Sequence, residues 1–183
     1  MSNAESINKA TLGSRIVAFL YDYILISAYL IILSLVTVAL MQFTDDGAWS
    51  AFFQNPFRAD LVAFLTTVLP VSLYFAFSES SPRRASWGKR KRGLKVETVD
   101  GAGLSRGQAL LRSALKFLPW QIAHTCLFNI PGWPINPQTP PIWVMLGLIL
   151  VWVLVAAHIA SVMLSKENQS WYDRLLGVRV ALV

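Results

Sequence analysis

Long apolar runs alternate with polar segments along this chain. After Arg15, Ile16 to Met41 holds about 26 residues with one formal charge, Asp22, where a helix needs roughly 20 apolar residues to cross a bilayer core. Ser14 is placed to cap that helix, and the polar residues before it form a short, poorly ordered lead. Gln42 to Asp60 is polar, with the turn signal Asp45-Asp46-Gly47 and interfacial aromatics Trp49, Phe52, Phe53 and Phe57, so it predicts a loop lying on the membrane. Leu61 to Phe77 is a second span of about 17 residues with a kink at Pro70. Ser78 to Ser105 is basic, and its Leu94 to Val99 alternates like a short strand before the turn Asp100-Gly101-Ala102-Gly103. Ser105-Arg106-Gly107-Gln108 fits a capping box that opens a third helix, apolar over Phe117 to Ile130. Pro131, Pro134, Pro137, Pro140 and Pro141 form a link, Ile142 to Leu164 is a fourth span of about 23 residues, and Ser165 to Val183 is a polar, basic tail. The pattern predicts an all-α integral membrane protein. It has four transmembrane helices and short cytosolic β-like segments after helices 2 and 4.

Charge sets the orientation. Of 16 Lys and Arg residues, only Arg58 falls in the segments assigned to the far side, so the positive-inside rule places both termini in the cytoplasm. The formal charge of +6 then follows from topology, with anionic lipid headgroups as the expected contact of the basic segments. No nucleic-acid partner is expected, because the Arg83 to Arg92 cluster lacks aromatic interleaving in a soluble module.

Composition agrees. The chain of 183 residues is 55% hydrophobic and 14% charged, against about 25% charged in soluble domains. It reads as one membrane domain over residues 1–183. The lone Cys126 cannot form an intrachain disulfide and is assigned to packing. The first apolar run is too long for a signal-peptide core and no Ala-x-Ala-like site follows it, so it is expected to stay as an anchor; Ser2-Asn3-Ala4 is either native or a cloning remnant.

Ser86 to Val96 laid over Ser170 to Val180 matches Ser, Trp, Arg, Gly and Val at a constant offset of 84 positions. The matching residues include Trp87, Arg90 and Gly93 in the first copy and Trp171, Arg174 and Gly177 in the second. Two helices plus this element make one half, so pseudo-repeat halves of about 10–100 and 101–183 are expected in parallel orientation. The alternative is a chance likeness of two basic, aromatic membrane junctions.

Gly13 to Asp22, Trp87 to Val96 and Asp173 to Val180 together resemble the RDD family of bacterial membrane proteins. Its motif, an Arg opening the first helix, an Asp within that helix and an Asp in the final segment, corresponds to Arg15, Asp22 and Asp173. Arg90-Lys91-Arg92 is more basic than the family's usual apolar turn. The resemblance implies a bacterial inner-membrane location and a transport role, linked in some members to sodium or proton exchange.

The candidate chemistry rests on depth. Asp22, His124 and His158 all fall roughly 9 to 12 Å inside the cytosolic boundary on straight helices, a set able to exchange protons or hold a cation. The structural alternative is Asp22 satisfied by Tyr, Trp or Ser donors, with each His an interhelical partner. Arg15 and Asp22 lie about 10 Å apart along one helix and cannot touch, so Arg15 is assigned to Asp173 at the cytosolic edge or to a lipid phosphate. No hydrolase, metalloprotease or nucleotide signature is present, and no catalytic residue, metal or cofactor is expected. The leading expectation is transport of a small ion or solute, and four helices make so thin a wall that a homo-oligomer or partner protein is expected too. The alternative is a non-transporting accessory or assembly subunit, with an enzyme a distant third.

Overall fold

In the computed structural model, residues 10–43, 46–134 and 136–183 are described. Most of the polar lead, Asp45 of the expected turn, and the residue at 135 in the proline link lie outside them. The elements run α1 (Leu12–Met41), α2 (Asp46–Phe53), α3 (Pro56–Ala63), a π-helical turn (Phe64–Val68), α4 (Leu69–Glu79), α5 (Trp87–Lys91), β1 (Leu94–Thr98), α6 (Arg106–Phe128), α7 (Ile142–Leu164), α8 (Trp171–Leu175) and β2 (Val178–Leu182).

Among the described residues, three helical stretches are long and apolar enough to cross a membrane: Leu12–Met41, Pro56–Glu79 and Ile142–Leu164. The chain is therefore a mostly helical membrane protein. Exposed Leu20, Ile24, Leu35, Trp152 and Val153 suit helices whose surroundings are lipid. α6 has the length of a span, but Arg106, Arg112 and Lys116 occupy its first half.

Local chemistry moves several boundaries. The cap of α1 is Thr11 rather than Ser14, since the Thr11 hydroxyl accepts the Ser14 N–H at 3.2 Å. Asp46 and Gly47 belong to α2 rather than to a turn. The second apolar stretch starts at Pro56 instead of Leu61. Asn55 caps it, accepting the Phe57 and Arg58 amides at 3.0 and 3.2 Å, and Pro56 fills the first helical position, where no N–H is needed. Asp60 thus sits inside a helix. The expected capping box at α6 is reciprocal, with Ser105 N–H donating to Gln108 at 3.1 Å and Gln108 N–H to Ser105 at 3.2 Å.

The chain forms two compact units. The first takes in Met1–Ile24, Leu73–Leu115 and Ala157–Val183. At its centre β1 and β2 pair antiparallel, Leu94 opposite Leu182 and Val96 opposite Val180. A two-stranded ribbon is marginal alone, so its inner side chains must be covered. Leu94, Val96, Val178 and Val180 are buried with Ala10, Ala18, Ala76, Leu104 and Ala109. On the other face Arg179 grips Glu97 through two nitrogens at 3.0 and 2.9 Å, and Lys95 lies 3.1 Å from the same carboxylate.

In the two basic, aromatic junctions, Trp87–Lys91 and Trp171–Leu175 are each a one-turn helix. The two segments share their conformation at the offset of 84: Arg84 and Asn168 both at φ 50°, Ser86 and Ser170 as N-caps, and Gly93 and Gly177 at φ 60° and 63°. That left-handed region favours glycine, which lets the chain turn from helix into strand. Each copy's strand is the other's partner.

The second unit takes in Leu25–Ser72 and Lys116–Ala156. Gly147 on α7 faces Cys126 on α6 so closely that a Cβ there would collide with the Cys126 sulfur. The kink expected at Pro70 takes the form of the π-helical turn just before it. Pro70 has no N–H for the carbonyl of Thr66, four residues earlier, and the Tyr29 hydroxyl donates to that oxygen at 2.5 Å.

Candidate functional site

Charged residues inside a membrane protein need partners, and the partners show what each charge does. Asp22 is 1% exposed. One of its oxygens accepts Gly88 N–H at 2.7 Å and Tyr74 O–H at 2.8 Å, and the other accepts Ser86 O–H at 2.6 Å. Tyr74 oxygen in turn accepts Trp87 N–H at 3.0 Å, and Ser86 oxygen accepts Lys89 N–H at 3.4 Å. Asp22 and its two hydroxyl partners thus take three successive amides at the start of α5, groups that a helix leaves unsatisfied. Gly88 is required for this approach, since a Cβ there would overlap the Ala18 carbonyl oxygen and stand 2.9 Å from Asp22 Cγ.

A second set links the other charges into a chain of alternating sign. Lys89 Nζ lies 2.5 Å from Glu79 Oε1, Arg112 Nη1 is 2.6 Å from Glu79 Oε2, and Arg112 Nε is 2.7 Å from Asp173 Oδ1. Arg15 Nη1 reaches Asp173 Oδ2 at 3.5 Å. Glu79 and Asp173 are wholly buried and Arg112 is 3% exposed. Cations stand against both oxygens of each acid, and leaving one such buried charge unpaired costs several kcal/mol (on the order of 3 to 5). The expected pairing of Arg15 with Asp173 is present, yet Arg112 makes the shorter contact. Glu79, Arg112, Lys89 and the donors Tyr74 and Ser86 were not singled out as site residues from sequence. A Glu closing one apolar run and an Arg opening another were the available signals.

Each histidine has a hydrogen-bond partner other than Asp22. His158 Nε2 shares a hydrogen bond with Tyr172 Oη at 2.9 Å, and the rings stand 4.5 Å apart. Burial and the neighbouring Asp173 carboxylate push the Tyr172 phenol well above its ordinary range, keeping it neutral. His124 Nδ1 lies 2.9 Å from the Trp120 carbonyl oxygen on its own helix. Equal depth along different helices fixes no common direction, since successive residues turn about 100° around the axis.

Of the cytosolic motif residues, Trp87 stacks edge-on against Tyr21 at 5.9 Å, Trp171 edge-on against Tyr172 at 5.6 Å, and Arg174 donates to the Ser161 carbonyl at 2.9 Å. Arg90 is exposed and gives its backbone carbonyl to Gly93 N–H at 3.1 Å.

The geometry agrees with the comparison of the whole chain, in which the RDD family profile matches residues 9–177. The chain belongs to the RDD family. Arg15, Asp22 and Asp173, the positions that carry the resemblance, all lie in the first unit of this RDD protein, Asp22 against α5 and the other two in the ion chain. No curated protein and no solved structure matches it.

The second unit holds a different kind of acid. Asp60, in the turn following the α3 cap, accepts Gln121 Nε2 at 3.0 Å on one oxygen and Thr125 Oγ1 at 2.7 Å on the other. Gln121 Nε2 also donates to Thr125 Oγ1 at 3.2 Å. These partners are neutral. Gln121 Oε1 is buried and has no partner among the described residues.

Proposed function

We propose that this RDD protein is a multi-pass protein of the bacterial inner membrane that moves, or helps move, a small ion or solute. Four crossings, with α6 as the third, and both termini in the cytoplasm fit the distribution of Lys and Arg. Two halves of about 10–100 and 101–183, each closed by one copy of the Ser-Trp to Val segment, fit the equal offsets and the mutual pairing of β1 with β2. A homo-oligomer supplies the wall that four helices lack, and the basic segments rest on anionic headgroups.

The observation that carries the transport reading is Asp60, an acid on an apolar helix whose hydrogen-bond partners among the described residues are the neutral Gln121 and Thr125. An ionisable residue in that setting marks an ion or proton path unless a structural partner accounts for it. Asp22, the acid favoured from sequence, has such partners, and they support an anchoring task for it. In proteoliposomes, imposed sodium and pH gradients should drive a flux that Asp60→Asn abolishes. No flux across a range of cations would end the transport reading.

A second reading, an accessory subunit that docks a partner through Trp87 to Val96 and Trp171 to Val180, draws on the exposure of Arg90, Lys91, Arg92 and Arg174. Pull-downs in mild detergent that recover only the protein itself would remove it.

A further inference from the structure

We infer that Asp60, Thr125 and Gln121 form a binding site for a small monovalent cation of the alkali class. This deepens the transport reading by naming the ion, but the site itself requires only binding.

The chemistry follows from the donors. A carboxylate, a hydroxyl and an amide carbonyl are hard oxygen ligands, suited to alkali and alkaline-earth cations rather than to metals that favour nitrogen or sulfur. Charge then decides between the two classes. Asp60 supplies a single negative charge, so a monovalent cation leaves the site neutral, whereas a divalent one leaves a net positive charge among apolar helices. Asp60 is half-buried, and the fully buried acids of the first unit differ from it. Glu79 and Asp173 already hold cations from Lys89, Arg112 and Arg15, and Asp22 holds a backbone amide and two hydroxyls.

Gln121 supplies the third ligand by a small movement. As it stands, its Nε2 faces Asp60 and Thr125, leaving Oε1 buried without a partner among the described residues. A buried polar oxygen in that state costs about 1 to 3 kcal/mol, so the amide has reason to reorient when a ligand offers it a bond. The last torsion of a Gln side chain is broad and roughly two-fold, and a half-turn brings Oε1 toward the Asp60 carboxylate. Two such oxygens repel unless a cation lies between them. The amide therefore serves both states, donating to Asp60 without the ion and coordinating the ion with it.

The test uses the full chain purified in detergent, with sodium, potassium and choline chlorides compared at equal ionic strength. The expected result is saturable binding of radioactive sodium or of a potassium tracer, with a higher unfolding midpoint in that salt than in choline chloride. Both should vanish in Asp60→Asn and weaken on the order of tenfold in Thr125→Val. Equal midpoints in all three salts together with no tracer binding, or binding retained by Asp60→Asn, would overturn the assignment. If Asp60→Asn does not fold, Thr125→Val and Gln121→Leu carry the test, and unchanged tracer affinity in both overturns it. Binding without flux in liposomes leaves the cation site standing and removes the transport reading.

Discussion

Gly88 N–H points at the Asp22 carboxylate from 2.7 Å, with no room at Gly88 for a side chain. A Cβ there would strike the Ala18 carbonyl, and backbone cannot swing aside as a side-chain tip does. Gly88→Ala is expected to cost about 3 kcal/mol or more, seen as a lower unfolding midpoint in detergent and loss of folded yield. Gly93→Ala is the control. Open space surrounds Gly93, and only its positive φ resists a side chain, so its cost should stay near 1 kcal/mol. Equal losses in the two variants would refute the close contact.

For Asp22 itself, shape and charge separate. Asp22→Asn keeps an oxygen for Gly88 and Tyr74, whereas Asp22→Ala strands several buried donors at once. The Asn variant should lose about 1 to 2 kcal/mol and the Ala variant roughly 3 to 5 kcal/mol by chemical or thermal unfolding. Under the anchoring role, Asp22→Asn should also keep whatever ion flux the wild type shows.

The ion chain ranks its arginines. Arg112 bridges two fully buried acids at 2.6 and 2.7 Å, while Arg15 reaches one of them at 3.5 Å. Arg112→Met should cost about 3 to 5 kcal/mol because it leaves Glu79 and Asp173 short of compensation. Glu79→Gln added to Arg112→Met should recover part of that loss. Arg15→Met should cost less than Arg112→Met, and the opposite order in denaturation would place the main link at Arg15.

The apolar runs were legible in the sequence because a bilayer demands length, which composition reports directly. Their ends were less so, since one residue's chemistry decides them: Asn55 with Pro56 drew Asp60 into a helix from what reads as a loop. The pairing of Arg15 with Asp173 could be anticipated from two charges at the ends of apolar segments. The links through Glu79 and Arg112 could not, because they depend on which way each helix turns its face. Asp22, His124 and His158 were grouped by expected depth alone, and the hydrogen bonds of the described residues give the three different partners.

Glu97 should give the paired strands a pH signature. Burial raises its carboxyl, but the hydrogen bonds and charges of Lys95 and Arg179 outweigh that and hold it below the ordinary 4.5. A carboxylate depressed in the folded state adds stability above its unfolded value, and the contribution disappears as pH falls through the folded one. Wild type should therefore lose stability below about pH 4.5 more steeply than Glu97→Gln. Parallel pH curves for the two proteins would mean that the cross-strand pair adds nothing.

Tyr29 and Pro70 should be coupled although they need not touch. Pro70 denies an amide to the Thr66 carbonyl, and Tyr29 O–H donates to that oxygen. Tyr29→Phe removes the donor, which should cost about 1 to 3 kcal/mol if the carbonyl is left without another. Pro70→Ala restores an N–H at the helical position that normally serves Thr66, so in that background Tyr29→Phe should cost less. A double-mutant cycle measured by unfolding in detergent reads the difference, with a coupling on the order of 0.5 to 3 kcal/mol expected. Additive losses would show that the π-helical turn already satisfies Thr66 without Tyr29.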